Sequence, residues 1–451
     1  MSGRPVLGWA GIVRLGLVQT SLGAIVVLTT STMNRVMVVE LALPAMLPGV
    51  LVALHYAVQM LRPRLGYGSD VGGRRTPWIL GGMGVLALGG VAAAVATAWM
   101  ETDRAAGVAL AVAAFTLIGV GVGASGTSLL VLLAKRVDPG RRAAAATIAW
   151  VMMIMGFIVT ATVAGHFLDP FSPARLVAVT AAVAASAFLV TLLAVWRIEG
   201  TGEAPVVAGS SATGAPPFRE ALRQVRGEPV ARRFAVFVFV SMLAYSAQDL
   251  ILEPFAGAVF GLTPGESTQL SGVQNGGVLL GMILVGLAGS AAGGGRFGSL
   301  RAWAVGGCVG SALALFSLAL AAFVGPAWPL RASVFALGVA NGAFAIAAIG
   351  SMMGLVSAGR QAREGVRMGL WGAAQAIAFG LGGFAGTAAV DLARHLVGSP
   401  VIAYATVFAG EAFLFLVAGA LAIRVGQLRD QRKPARISSP GGNYAAELGQ
   451  G

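Results

Sequence analysis

The sequence predicts an all-α polytopic membrane protein of twelve transmembrane helices arranged as two six-helix bundles. Three observations carry that expectation. Of the 451 residues, 57% are hydrophobic and 11% charged, against about 45–50% and about 25% in soluble domains. The chain runs repeatedly for about 18 or more residues with little or no charge, enough to cross a ~30 Å hydrocarbon core as a helix. The basic residues gather between alternate runs, as loops on one side of a membrane do. Outer-membrane barrels would show short alternating segments, whereas these runs are continuous and rich in Ala, Gly, Leu and Val.

The charges bound the elements in order. Span one, 11–38, carries Arg14 near its start and Arg35 near its end, and span two, 44–61, stops at Arg62. Span three, 77–99, follows Arg74 and Arg75; span four, 106–134, lies between Arg104 and Lys135. Span five, 143–168, follows Arg141 and Arg142, and span six, 174–196, stops at Arg197. Span seven, 233–260, starts at Arg233, span eight, 268–292, stops short of Arg296, and span nine, 301–323, starts at Arg301. Span ten, 330–356, precedes Arg360; span eleven, 367–394, runs from Arg367 to Arg394; span twelve, 400–424, ends at Arg424.

All of the 31 Lys and Arg except Arg35, Arg104, Arg175, Arg331 and Arg394 then fall on the side of the two termini. The positive-inside rule places both termini in the cytoplasm. The net charge of +13 follows from this bias and gives no reason to expect a nucleic-acid partner. The first run is long and is followed by others, so it reads as a membrane anchor and not as a cleaved signal. The 65 glycines suit close approach of membrane helices. The single cysteine, Cys308, has no partner for an intramolecular disulfide.

The chain divides into an N-terminal bundle (1–196), a cytoplasmic linker (197–232) rich in Gly, Pro, Ser and Ala, a C-terminal bundle (233–426) and a polar tail (427–451) that reads as disordered. Within the linker, Phe218 to Arg226 reads either as a short basic amphipathic helix on the membrane surface or as a solvated helix. The halves echo one another. "LLAKRVDPGRRAAAATIAW" follows span four and "GLVSAGRQAREGVRMGLWG" follows span ten, each with spaced arginines leading into a Gly/Ala-rich helix. This suggests a parallel repeat of two bundles about an axis along the membrane normal.

Between spans two and three stands "GYGSDVGGRRTPW", with Gly66, Asp70, Gly73, Arg74 and Arg75. It resembles the cytoplasmic signature loop of the major facilitator superfamily, with Val71 in place of the usual basic residue. The resemblance implies the major facilitator fold and a loop that steadies the two halves. The physics is consistent: glycines allow a tight turn, and Asp70 can pair with an arginine or accept from a helix N-terminus. The second-half equivalent, "GSAAGGGRFGSLR", keeps glycines and Arg296 but no acid.

Two passages narrow the family. "LGLVQTSLGAIVVLTTSTMNRVMVVELALPAMLPG", from Leu15, and "YSAQDLILEPFAGAVFG", from Tyr245, resemble the PucC/LhaA, or bacteriochlorophyll delivery, family, in the branch encoded among bacteriochlorophyll synthesis genes. The resemblance implies a photosynthetic inner membrane and bacteriochlorophyll or a late precursor as ligand. It further implies light-harvesting antenna polypeptides or a reaction centre, and pigment-synthesis enzymes, as partners.

Candidate functional residues fall in three groups. Asn34, Arg35 and Glu40 cluster at the outer end of span one, and Gln248, Asp249 and Glu253 at the matching region of span seven. Arg35 and Glu40 are five apart, an imperfect helical pair unless the helix bends. Asp249 and Glu253 are i, i+4 and share a face, where they repel unless protonated or paired with a cation such as Arg35. Pro254 is expected to break or kink the helix. These residues read as an outer gate or as a structural ion pair. Glu411 stands alone in span twelve, where a carboxylate is expensive; it reads as a proton-coupling group or as a carboxyl hydrogen-bonded between helices.

His55 and Gln59 form the third group. His55 lies about seven residues from both Pro48 and Arg62, or ~10 Å from each at ~1.5 Å per residue. It reads as a hydrogen-bonded core residue, a proton relay or an axial ligand to pigment magnesium, with Gln59 orienting the ring. His166 and His395 are weaker candidates near the outer ends of spans five and eleven. Trp150, Trp371, Phe157 and Phe384 read as stacking surfaces for a flat ring or as ordinary core, and Gly380 to Gly386 either makes room for a macrocycle or allows close packing. An enzyme is not expected: zinc spacing, a nucleotide loop and a His-based triad have no support in the sequence. Neither a nucleotide nor a free metal is implied. The rival to pigment handling is a proton-coupled secondary transporter of a small solute.

Overall fold

The computed structural model describes residues 7–60, 74–138, 141–199, 229–289, 299–357 and 364–431. Among these, twelve helices cross or enter the membrane region: α1 (Trp9–Glu40), α2 (Met46–Gln59), α3 (Thr76–Trp99), α4 (Arg104–Arg136), α5 (Arg142–Leu168), α6 (Pro173–Val195), α7 (Pro229–Phe260), α8 (Pro264–Gly289), α9 (Leu300–Val324), α10 (Leu330–Ser357), α11 (Glu364–Val397) and α12 (Pro400–Gln431). Eleven contain a stretch long and apolar enough to span a bilayer, and α2 is a shorter apolar helix. All twelve expected spans are therefore present, in order.

Local chemistry sets the helix starts. Asp103 accepts from the Ala106 N–H at 3.0 Å, Ser172 from Arg175 at 3.1 Å and Ser299 from Ala302 at 3.3 Å. These are side-chain N-caps of α4, α6 and α9, each worth about 1 kcal/mol. Proline stands in the first turn of α3 and α6, where its missing N–H costs nothing. Thr263 and Glu266 form a reciprocal capping box on α8: Glu266 Oε2 accepts from the Thr263 N–H and Thr263 Oγ1 from the Glu266 N–H.

Packing repeats in the two halves. In the first, α1 lies on α5 and α6, α3 on α4 and α6, and α2 on α4; in the second, α7 lies on α11 and α12, α9 on α10 and α12, and α8 on α10. Each contact has its mate six helices later. Across the halves, α2 meets α11 and α5 meets α8, two contacts that the same operation exchanges. This is the parallel repeat the sequence suggested. Each bundle has its own core, one around Ile12, Leu15, Ile25 and Phe115, the other around Phe255, Phe344, Phe408 and Phe415. With an even number of helices, the start of α1 and the end of α12 fall at one end of the molecule, and the other end is distal to the termini.

Several boundaries differ from the sequence expectation. Helix α1 continues to Glu40 through two π-helical stretches, Leu28–Thr32 and Val36–Glu40. Helix α7 is continuous through Pro254, so the expected break does not occur. Helix α12 runs to Gln431, past the boundary at 424. Of the expected linker 197–232, Arg197, Ile198 and Glu199 are described, the last two buried against the first bundle, and 229–232 already belong to α7; residues 200–228, including the Phe218 to Arg226 segment, and the tail 432–451 lie outside the described residues.

Glycine sets the contact of α8 with α10. Helices α8 and α10 meet through Gly277 and Gly281 on one side and Gly338 and Gly342 on the other. A Cβ on Gly281 would lie 2.1 Å from the Val339 carbonyl oxygen, and one on Gly342 2.0 Å from that of Val278. In lipid, where tails are as apolar as side chains, such backbone approach is a main source of association. Gly281→Ala is expected to lower unfolding stability in detergent by about 1–3 kcal/mol. Gly276→Ala, on the same helix with nothing within 4 Å of its Cβ position, is expected to leave it unchanged. Equal unfolding midpoints for the two variants would refute this account of the contact.

Candidate functional site

The distal ends of α1 and α7 hold a polar contact between the bundles, and the path of α1 explains how. A π-helical turn bonds i to i+5. Over Val36–Glu40 this widening brings Arg35 and Glu40, five apart, onto one face, and Arg35 Nη1 donates to Glu40 Oε1. The same guanidinium reaches across the seam, where Nη2 donates to the Leu262 carbonyl just past the end of α7. A cation there also answers the negative end of the helix. Arg35 lies flat over Gly257: a Cβ at that position would sit 2.9 Å from Nη2.

One turn deeper, Pro254 decides the contact. It has no N–H, so the Leu250 carbonyl, its partner four residues back, loses its helical donor. Asn34 supplies the replacement: its Nδ2 donates to Leu250 O at 2.6 Å, with Asn34 1% and Leu250 3% exposed. Helix α7 therefore stays continuous because α1 completes its hydrogen bonding. Beside this, Thr32 and Thr268 share a hydroxyl–hydroxyl bond of 2.9 Å at full burial.

Two aspartates close the flanks of the seam in matching positions. Asp169, after α5, accepts from the Thr263 hydroxyl at 2.7 Å and the Gly265 N–H at 3.3 Å, at the start of α8. Asp391, in α11, accepts from the Ala45 and Met46 N–H groups at 3.0 and 2.7 Å, at the start of α2. Each carboxylate thus caps a helix N-terminus of the opposite bundle, where the helix dipole favours an anion. The sequence reading missed both. The signal was present: Asp169 follows Trp150 by 19 residues and Asp391 follows Trp371 by 20. At the termini-bearing end a third carboxylate, Glu199, accepts from the Arg75 and Thr76 N–H groups at 2.6 and 2.7 Å. It clamps the start of α3 directly after the signature loop. Of that loop, Arg74 is exposed and Arg75 buried; Gly66, Asp70 and Gly73 lie outside the described residues.

The other candidates separate into groups. Glu253, 2% exposed, lies within electrostatic reach of Arg35 and beside Ser271. The Ser271 hydroxyl is the donor nearest to it, while Arg35, the cation the sequence offered as a possible partner, pairs with Glu40 instead. Gln248 is fully buried with both amide atoms unpartnered among the described residues. Asp249, half-buried, and Glu411 on α12 are close enough for their charges to interact. Both Glu411 oxygens also lack a hydrogen-bond partner among the described residues, so of its two readings the interhelical hydrogen bond finds no donor there.

His55 is 3% exposed, and its Nε2 lies 2.7 Å from the Gln59 amide nitrogen. Its carbonyl faces Gly119 of α4, where a Cβ would come within 2.8 Å. A ring so enclosed and bonded offers no face to a macrocycle in this conformation. Half-buried aromatics lie next to it: Tyr56 of α2, Phe379 of α11 and Tyr245 of α7, with centroids 5.6 Å and 5.9 Å from Phe379 to the two tyrosines. These three join both bundles. Trp150 is 41% exposed, one turn from Ile154 on the α8-facing side of α5, and the side chain of Trp371 lies outside the described residues. The Phe157 ring packs on Gly23 of α1, whereas Phe384 approaches Gly49 of α2 only through its backbone. Gly382 and Gly386 meet the Leu243 and Ala247 carbonyls of α7 at 2.6 and 2.7 Å from their Cβ positions, so that glycine run serves close packing. His166 and His395 are exposed at the distal end.

The Asn34 contact yields a double-mutant cycle. Asn34→Ala leaves a buried carbonyl without a donor and is expected to cost about 1–3 kcal/mol. Pro254→Ala returns the helical N–H, so the double variant is expected to recover part of that loss. Additive effects on the unfolding free energy would show that Asn34 does not replace the proline's missing bond.

Comparison with known proteins agrees with this architecture. The sequence matches the family described as PUCC protein over residues 32–429. A Rhodobacter capsulatus protein named "Bacteriochlorophyll synthase 44.5 kDa chain" is 54% identical, over 93% of this chain and 96% of its own length. "Protein PucC" of the same species is 30% identical over 91% of each. Among solved structures, a bacterial homolog of the human lysosomal transporter Spinster, inward-facing and unoccupied, superposes with a TM-score of 0.67 at 17% identity, covering 94% of this chain and 98% of that one. The nucleoside transporter NupG gives 0.65 at 16%, covering 92% and 99%. At these identities the structural likeness speaks for the fold alone. The chain belongs to the PucC family, as a multi-pass membrane protein built on the major facilitator fold.

Proposed function

We propose that this protein handles bacteriochlorophyll or a late precursor and delivers it to, or scaffolds, light-harvesting or reaction-centre complexes in a photosynthetic bacterial inner membrane. The observation that carries this reading is family membership across 32–429, joined to 54% identity with a relative whose name ties it to bacteriochlorophyll. That name also contains the word synthase. The role proposed here is not enzymatic, because three histidines and one buried cysteine give little for side-chain catalysis. Its partners are antenna polypeptides or a reaction centre, with pigment-synthesis enzymes as suppliers, and neither nucleotide nor nucleic acid is involved. The arginine bias supports cytoplasmic termini, which makes the distal seam the periplasmic closure.

The half-buried Tyr56, Tyr245 and Phe379 support this reading as a surface on which a flat ring can stack. A chlorin supplies its own light absorption and an axial position on its magnesium. His55 does not fit that position as packed here, and the proposal does not depend on it. A second reading, a proton-coupled transporter of a small solute, is favoured by two buried carboxylates, Glu253 and Glu411, the latter without a hydrogen-bond partner among the described residues.

The test is an absorption spectrum of the protein purified gently from a pigment-producing membrane, beside Tyr56→Ala and His55→Leu. Red or near-infrared pigment bands are expected in the wild type, weakened in Tyr56→Ala and retained in His55→Leu. Loss of the bands in His55→Leu alone would make the imidazole the ligand after rearrangement. A folded wild type without pigment would overturn the pigment reading in favour of the transporter.

A further inference from the structure

At the termini-bearing end, α6 finishes against α1 in an unusual way. The last carbonyls of a helix have no partner within it. Here Arg14 of α1 supplies donors: Nε to the Ala194 carbonyl at 3.0 Å, and Nη2 to that of Trp196. Arg197 then takes a left-handed backbone conformation, φ 54°, which L residues with a Cβ rarely adopt. The chain turns sharply there. The turn leaves a hollow of about 480 Å³ lined by Arg14, Leu193, Trp196 and Arg197.

The lining is specific in charge and position. It holds two guanidinium groups and no acid. The nearest carboxylate in sequence, Glu199, is committed to the start of α3. Arg197 is exposed and makes no hydrogen bond or ion pair among the described residues. Arg14 stands five residues into α1, ~8 Å along its axis, at the depth of a headgroup region. Trp196 is 60% exposed, as an interfacial indole is. Toward the membrane centre, Leu189 and Leu193 of α6 are 55% and 62% exposed, an apolar track leading out of the hollow.

We infer that this hollow is a binding site for the phosphate diester of an anionic phospholipid. Arg197 and the remaining N–H groups of Arg14 donate to the phosphate oxygens, a geometry that guanidinium matches well. Trp196 lies at the glycerol level, and an acyl chain follows Leu193 and Leu189. Because Arg14 already holds the end of α6, an occupied site would tie that helix to one leaflet.

The test is native mass spectrometry of the intact protein in detergent with dioleoyl phosphatidylglycerol, dioleoyl phosphatidylcholine or inorganic phosphate. The variants are Arg197→Asn and Arg197→Gly, both suited to a left-handed backbone. Phosphatidylglycerol adducts are expected to exceed phosphatidylcholine adducts and to fall about tenfold in both variants, as loss of a charge-assisted contact implies, at unchanged thermal midpoint. Excess inorganic phosphate is expected not to displace the lipid. Equal retention of the two lipids, or phosphatidylglycerol binding indifferent to both variants, overturns the site. Displacement by inorganic phosphate overturns its assignment to a lipid and makes it a site for a soluble phosphate.

Discussion

The closed end of this molecule depends on one missing N–H. Pro254 leaves the Leu250 carbonyl of α7 without its helical donor, deep in a segment where water is scarce and an orphaned carbonyl is costly. Asn34 of α1 fills the gap. Secondary structure in one bundle is thereby completed by a side chain of the other. Arg35 does the same for the Leu262 carbonyl at the helix end. Separating α1 from α7 breaks both bonds at once, so the integrity of α7 and the closure of the seam are one equilibrium.

Flanking that centre, the repeat supplies two further locks of similar design. Asp169 and Asp391 each cap the opposite bundle's helix. Their symmetry distributes the closure across both interfaces, α5 with α8 and α2 with α11. The interior beneath is polar in a different manner: Glu253 is buried beside Ser271, and Gln248 and Glu411 are buried without hydrogen-bond partners among the described residues. A membrane protein retains such groups where they meet a ligand, a proton or water. Either functional reading finds its chemistry there.

Much of this was legible in the sequence. Charge-bounded apolar runs located all twelve helices, because hydrocarbon leaves no alternative to a closed backbone. The residue types at the gate were also legible, since charge in a span is rare. Their partners were not. The pairing of Arg35 with Glu40 required a π turn that no residue pattern announces. Pro254 appeared as a breaker because its consequence is decided by Asn34, more than two hundred residues away. Asp169 and Asp391 were overlooked because they sit at span ends, where acids are common; only the repeat spacing distinguishes them. His55 drew notice as an isolated polar residue, yet its neighbour Gln59 already answers it.

The central contact is not symmetric, although the fold is. Helix α1 contributes the donors, Asn34 and Arg35, while α7 contributes backbone carbonyls freed by a proline and a helix end. At this seam the two halves of the repeat are complementary. Two copies of the first half placed face to face would present amide and guanidinium to each other; two copies of the second would present carbonyls. Neither pair could make this seam. The repeat of the fold is thus matched by a division of labour between its halves, and a strictly symmetric pair would need a different closure.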